Sequence, residues 1–104
     1  MGVLKNVLLE DLNRICDMKA SFQNRLSSLP KGSIQKKRIN NNCYYYLVFR
    51  DENGKYMSQY LGKEGSDKLI EFQQLIKIRK SHEVQLAKVL EEERDLRKAI
   101  RVLK

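Results

Sequence analysis

Apolar residues recur at helical spacing along the first part of the chain. Leu8, Leu12, Ile15, Phe22, Leu26 and Leu29 lie three or four apart, with Lys19 in the missing slot and Met18 beside it. Such residues share one helix face, which predicts a helix over residues 3–29 with one core-facing stripe. Ser27 and Ser28 weaken its end. Pro30 stops it, because the residue before a proline is pushed out of helical geometry.

The pattern then changes period. Residues 33–39 are bounded by Gly32 and by Asn40-Asn41-Asn42, and asparagine tolerates the left-handed backbone of a tight hairpin. Cys43 to Arg50, CYYYLVFR, is dense in aromatic and β-branched residues and reads as a strand. Asp51-Glu52-Asn53-Gly54 predicts a second turn, Lys55 to Leu61 a third strand, and Gly62 its end. The segment 32–62 is therefore expected to be a three-stranded antiparallel meander.

From Ser66, an N-cap candidate followed by Asp67, helical spacing returns. Phe72, Leu75, Leu86, Val89, Leu96, Ile100 and Leu103 form the stripe, and the same frame puts Arg79, His82 and Glu93 at core positions. A helix over 66–104 would be about 58 Å long, against about 40 Å for the first. It either outruns its partner or bends near Lys80-Ser81-His82-Glu83. An overhang would expose Leu96, Ile100 and Leu103 as an interface for a homodimer or another coiled-coil partner. The predicted fold class is α+β: a single domain over residues 1–104, with the two helices forming an antiparallel hairpin.

Charge sharpens this picture. The net charge is +8 over 104 residues, and residues 31–63 contribute +5 of it, with seven bases and two acids. A basic patch favours an anionic partner: nucleic acid, an acidic protein face or an anionic surface. No apolar run approaches the roughly 18 residues of a membrane span, and Glu10 and Asp11 interrupt the apolar opening where a signal peptide would need its core. Gly2 does not open a myristoylation motif, since Asn6 stands where Ser or Thr is needed. The expected location is cytoplasmic, with no membrane contact and with Cys16 and Cys43 reduced.

No chemistry-bearing constellation emerges. Cys16, Cys43 and the single His82 lack the four-ligand spacing of a zinc site. His82 has only Lys80 and Glu83 as near neighbours. Glu91, Glu92, Glu93 and Asp95 alternate with Arg94, Arg97 and Lys98, as on a salt-bridged helical surface. There is no phosphate loop, dinucleotide glycine pattern or nucleophile elbow. The expectation is no catalytic residue, no metal and no cofactor.

Strand alternation splits the central strand into two faces. Tyr45, Leu47 and Phe49 are the more apolar set and are assigned to the core. Tyr44, Tyr46 and Arg50 then point outward, near Lys36, Arg38 and Lys55, while the adjacent bases Lys36-Lys37-Arg38 reach both faces, so that at least one sits beside the core face or at an edge. Such a face can stack on bases while its cations meet phosphates, or it can enter a major groove. The same residues are also consistent with tyrosines capping a small sheet and with lysines guarding a strand edge.

The run LPKGSIQKKRINNNCYYYLVFRDENGKYMSQYLGKE resembles a family of small bacterial, archaeal and phage proteins, itself a domain of unknown function. The resemblance is carried by Leu29, Pro30, Gly32, Ser33, Tyr45, Tyr46, Leu47, Arg50, Gly54, Ser58, Tyr60, Leu61, Gly62 and Lys63. It implies the helix–hairpin–helix architecture and an association with mobile elements. Gly32-Ser33-Ile34 and Asp51 to Lys55 are also similar to the arm-site DNA-binding domain of tyrosine recombinases, which reads DNA with a three-stranded sheet. The recombinase body is missing, so only the binding mode is implied.

The function expected is a non-enzymatic phage or mobile-element protein that binds DNA or RNA through the sheet. Lys36, Lys37, Arg38, Arg50 and Lys55 would meet phosphate, and Tyr44 and Tyr46 would stack. Two alternatives stay open: an anti-defence, anti-CRISPR-like inhibitor of a host nucleic-acid-processing protein, and a coiled-coil assembly module.

Overall fold

A computed structural model describes residues 2–103. Among them the elements run α1 (Gly2–Ser27), β1 (Ser33–Ile39), β2 (Asn42–Arg50), β3 (Tyr56–Lys63) and α2 (Asp67–Val102). This is the α+β order that the change of period predicts. α1 ends at Ser27, before the predicted Leu29, and α2 continues without interruption through Lys80-Ser81-His82-Glu83. Lys104, the predicted last residue of the long helix, lies outside the described residues. The chain divides into two compact units, Met1–Ser28 with Ser81–Lys104, and Leu29–Lys80.

In the second unit the three strands form one antiparallel sheet in the order β1-β2-β3. Two turns set its register. Ile39 pairs with Asn42, leaving Asn40 and Asn41 as a two-residue loop with φ of 51° and 68°. Both values are left-handed, which is the type I′ geometry whose twist matches that of the flanking strands. At the other turn the Asp51 carboxylate accepts from the N–H groups of Asn53 and Lys55, at 2.9 and 2.8 Å. Gly32, at φ 117°, lies so close to β2 that an added Cβ would stand 2.2 Å from the Val48 carbonyl oxygen. Only glycine fits there.

One sheet face supplies the core. Leu47, Leu61, Leu69 and Ile76 are buried together, and Ile34, Tyr45, Phe49 and Phe72 pack against them. Tyr45, Leu47 and Phe49 therefore face inward, as their apolar character predicts. The helix they meet is positioned by Ser66, whose Oγ accepts from the Leu69 N–H at 3.3 Å, the N-cap bond expected of it. Arg79 donates to the Leu29 carbonyl at 3.0 Å, so a cation that the stripe places at a core position is spent on a backbone acceptor.

The first unit is a pair of antiparallel helical segments. Phe22 meets His82 at 5.9 Å between ring centroids, while near the other end Leu9 and Leu12 share a cleft with Ile100 and Arg101. Ile15, Leu26 and Val89 are buried. Two of the charged residues that interrupt the apolar stripes meet each other: Lys19 Nζ lies 2.8 Å from Glu93 Oε2. Cys16 donates to the same oxygen at 3.5 Å, and Arg97 lies 3.4 Å from it. The Lys19 ammonium bonded to it, with help from Cys16 and Arg97, holds the Glu93 carboxyl below the usual carboxylate range against the opposing pull of desolvation.

Leu96 and Ile100, the residues an overhang would expose, lie beside α1. Leu96 shares a cleft with Asp11, Arg14 and Ile15, and Ile100 shares one with Leu9 and Leu12. Both residues already pack beside α1 of their own chain, because α1 reaches back to Gly2 and pairs along the end of α2. Leu103 is half-buried.

Candidate nucleic-acid interface

The sheet face opposite the core is built in rows across the three strands. Lys37, Tyr44 and Lys63 form the first row, Gln35, Tyr46 and Tyr60 the second, and Ser33, Val48 and Ser58 the third. Arg50 and Tyr56 form the fourth. Four of the chain's five tyrosines thus share this face.

A bulge in β3 makes this composition. Tyr45 pairs with Gly62 and Tyr46 with Tyr60, so Leu61 is the extra residue between two consecutive pairs. Lys63 and Tyr60 are three apart, and in a regular strand they would point to opposite faces. Leu61 lies in the core as the extra residue, and Tyr60 and Lys63 are both left on the outer face. The result is visible in side-chain contacts. Tyr60 lies 6.2 Å from Tyr44 and 5.4 Å from Tyr46 between ring centroids, tilted by 51° and 55°. Lys37 Nζ sits 4.8 Å over the Tyr46 ring and Lys63 Nζ 5.7 Å over Tyr44, so each cation rests on the negative face of a ring.

The electrostatics of the sheet are one-sided. Its strands read SIQKKRI, NCYYYLVFR and YMSQYLGK: five bases and no acid. Lys37 and Lys63 flank Tyr44 at two strand spacings, about 10 Å. That is close to the Debye length of about 8 Å at physiological salt, so the two charges act on an approaching anion as one patch. Arg50 Nη1 donates to the Gly54 carbonyl at 3.0 Å, which ties the guanidinium to the β2–β3 turn at the edge of the face.

Of the seven residues singled out from the sequence, Lys37, Tyr44, Tyr46 and Arg50 share this face. Lys36, Arg38 and Lys55 do not. Lys36 is opposite Tyr45 and Arg38 opposite Cys43, which puts both bases on the core-side face of the exposed edge strand β1. The cause is parity: the two-residue turn fixes which residues of β1 alternate with which of β2. Lys55 lies in the turn before β3, its N–H bound to Asp51. Tyr56, Tyr60 and Lys63 were not anticipated at the site. Gly62, at φ 132° inside the third strand, is the one signal that could have indicated the bulge.

On the core side, the Tyr45 hydroxyl donates to the Glu64 carboxylate, and this bond pushes the phenol above its ordinary range. Cys16 and Cys43 are both free and half-buried. Among the described residues, no three His, Cys, Asp or Glu side chains are grouped to hold a metal ion, and no helix is long and apolar enough to cross a membrane.

A sequence profile described as a domain of unknown function, DUF6788, matches residues 4–71. The chain belongs to the DUF6788 family. The DUF6788 match takes in most of α1, the whole sheet and the start of α2, so every residue of the outer face lies within it. This agrees with a small family of unknown function as the Leu29-Pro30 turn and the Tyr60-Leu61-Gly62-Lys63 strand suggest. No curated protein and no solved structure matches this DUF6788 chain.

Proposed function

We propose that this DUF6788 protein binds nucleic acid, without catalysis, through the outer face of its sheet. The observation that carries the reading is the sheet's lack of any carboxylate, combined with a face of four tyrosines between Lys37, Lys63 and Arg50. Cations positioned by a rigid sheet favour phosphates, and aromatic rings among them favour bases. The likeness of Gly32-Ser33-Ile34 and Asp51–Lys55 to recombinase arm-site domains supports the same mode. A phage or mobile-element origin and a cytoplasmic setting belong to this proposal. The test is binding of a labelled oligonucleotide at increasing salt. Affinity should fall steeply, because phosphate contacts release counterions; affinity indifferent to salt would falsify the reading.

A separate observation favours a second reading, an inhibitor that binds a host nuclease or effector protein. Val3, Leu4 and Val7 are 80, 54 and 54 % exposed near the start of α1, and exposed apolar clusters mark protein contacts. A partner retained from host lysate after nuclease treatment supports this reading; a partner lost on that treatment supports the first.

A further inference from the structure

We infer that the outer face discriminates between paired and unpaired nucleic acid. This inference rests on the nucleic-acid reading above and narrows it to a substrate class. Stacking needs an open ring on the protein and an exposed base face on the ligand. Tyr44 and Tyr46 are half-buried and lie under Lys63 and Lys37. Tyr56 and Tyr60, on the edge strand β3, are 58 and 48 % exposed, and among the described residues no cation lies over either ring. The rings open to a ligand are therefore these two, and not the pair that strand alternation alone singles out.

Their setting fits separate bases. Tyr56 and Tyr60 are four residues apart on one face, about 13 Å along the strand. Between them the row consists of Ser33, Val48 and Ser58, with Val48 buried, so a low row crosses the sheet between two taller aromatic ones. Of the side chains here that can read base edges in a groove, Arg50 is bonded to the β2–β3 turn, Lys37 and Lys63 lie over tyrosine rings, Ser33 and Ser58 are short, and Gln35 is left. A duplex keeps its base faces stacked inside and offers the tyrosines only backbone and groove edges, with no ring face to stack on. The face takes single-stranded nucleic acid, with Tyr56 and Tyr60 stacking on unpaired bases and Lys37 and Lys63 holding the adjoining phosphates.

The experiment uses the full chain and one mixed sequence in four forms: single-stranded and duplex, each as DNA and as RNA. Fluorescence anisotropy gives the affinities. The single strand should bind on the order of tenfold tighter than its duplex, and Tyr60→Leu and Tyr56→Leu should each cost the single strand on the order of tenfold. Tyr60→Phe, which keeps the ring, should restore binding. Leucine retains apolar bulk, and thermal melts of each variant confirm that the fold is kept. A preference for DNA or for RNA supports the inference in either direction, provided the single strand wins within that sugar type. Duplex bound as tightly as single strand, with both leucine variants neutral, overturns the inference and leaves the broader reading standing. No binding to any of the four overturns both.

Discussion

The two compact units differ in how their cations are held. In the helical unit three cations meet acids at close range, while Arg25 lies over the Phe22 ring. Lys19 and Arg97 converge on one carboxylate oxygen of Glu93, and Arg14 pairs with Asp11 at 2.8 Å. In the sheet unit the strands hold five bases and no acid, and Lys37 and Lys63 lie instead on tyrosine rings. A cation held by a carboxylate is already satisfied, and an incoming phosphate would have to compete with that partner. A cation on an aromatic face is held by about 0.5–1 kcal/mol at an exposed site, and a phosphate can replace or share that contact at little cost. Paired charge fixes the register of helices. Unpaired charge on a stiff, aromatic sheet is available for binding.

The largest effect should come from breaking the platform itself. Leu47 is 3 % exposed at the centre of the sheet's core, so Leu47→Ala should cost about 2–5 kcal/mol in urea denaturation, with the midpoint shifted accordingly. The next experiment erases the contrast between the units. Ser58→Glu places a carboxylate among the outer-face rows, where it should weaken oligonucleotide binding while leaving thermal stability nearly unchanged. Replacing Lys37, Arg50 and Lys63 together by Gln should lower affinity further and flatten the salt dependence by about 2 in the log–log slope, at roughly 0.7 per lost phosphate contact on a single strand. Binding that is unmoved by either change would mean that the charge asymmetry is a solubility device.

Much of this contrast was legible in residues, and the rest depended on pairings that no single segment carries. Alternation along CYYYLVFR identified the inward set, because a strand buried on one side must place its apolar members there. Asn40 and Asn41 announced the hairpin because few residues accept left-handed φ at both positions. Lys19 and Glu93 stood out as polar residues within apolar stripes, but that they meet required the register of two antiparallel helices, which spacing does not contain. Lys36 and Arg38 were misplaced because three consecutive bases look alike until a turn fixes their parity. Tyr60 and Lys63 were missed because the Leu61 bulge reverses the alternation, and a bulge depends on what the neighbouring strand offers.

Glu93 tests the helical half of the comparison. Its carboxyl is held below the usual range, so its stabilising effect is fully present above about pH 4.5 and is lost as pH falls through the lowered value. Melting temperatures of the native chain should therefore fall across that acid window. Glu93→Gln should melt lower than the native chain at neutral pH, because Lys19 loses its counter-charge, and the two curves should converge in acid. Parallel curves would show that the pair does not couple the helices.

The smallest effect concerns the sheet's other face, where Tyr45 differs from the four outer tyrosines. Its hydroxyl donates to the Glu64 carboxylate, and this bond together with burial favours the neutral phenol. A raised phenol contributes stability below its unfolded value of about 10, and the contribution is lost as pH rises through the folded value. Glu64→Gln removes the charge and leaves a neutral acceptor, so Tyr45 should ionise earlier than in the native chain. Tyrosinate absorbance, with Tyr45→Phe to identify the signal, reads this directly. Because Tyr45 lies on the core side, the shift should be unchanged by bound oligonucleotide. An oligonucleotide that moves the Tyr45 titration would place the ligand on the core-side face, beside Lys36 and Arg38, and would reverse the assignment of the binding face.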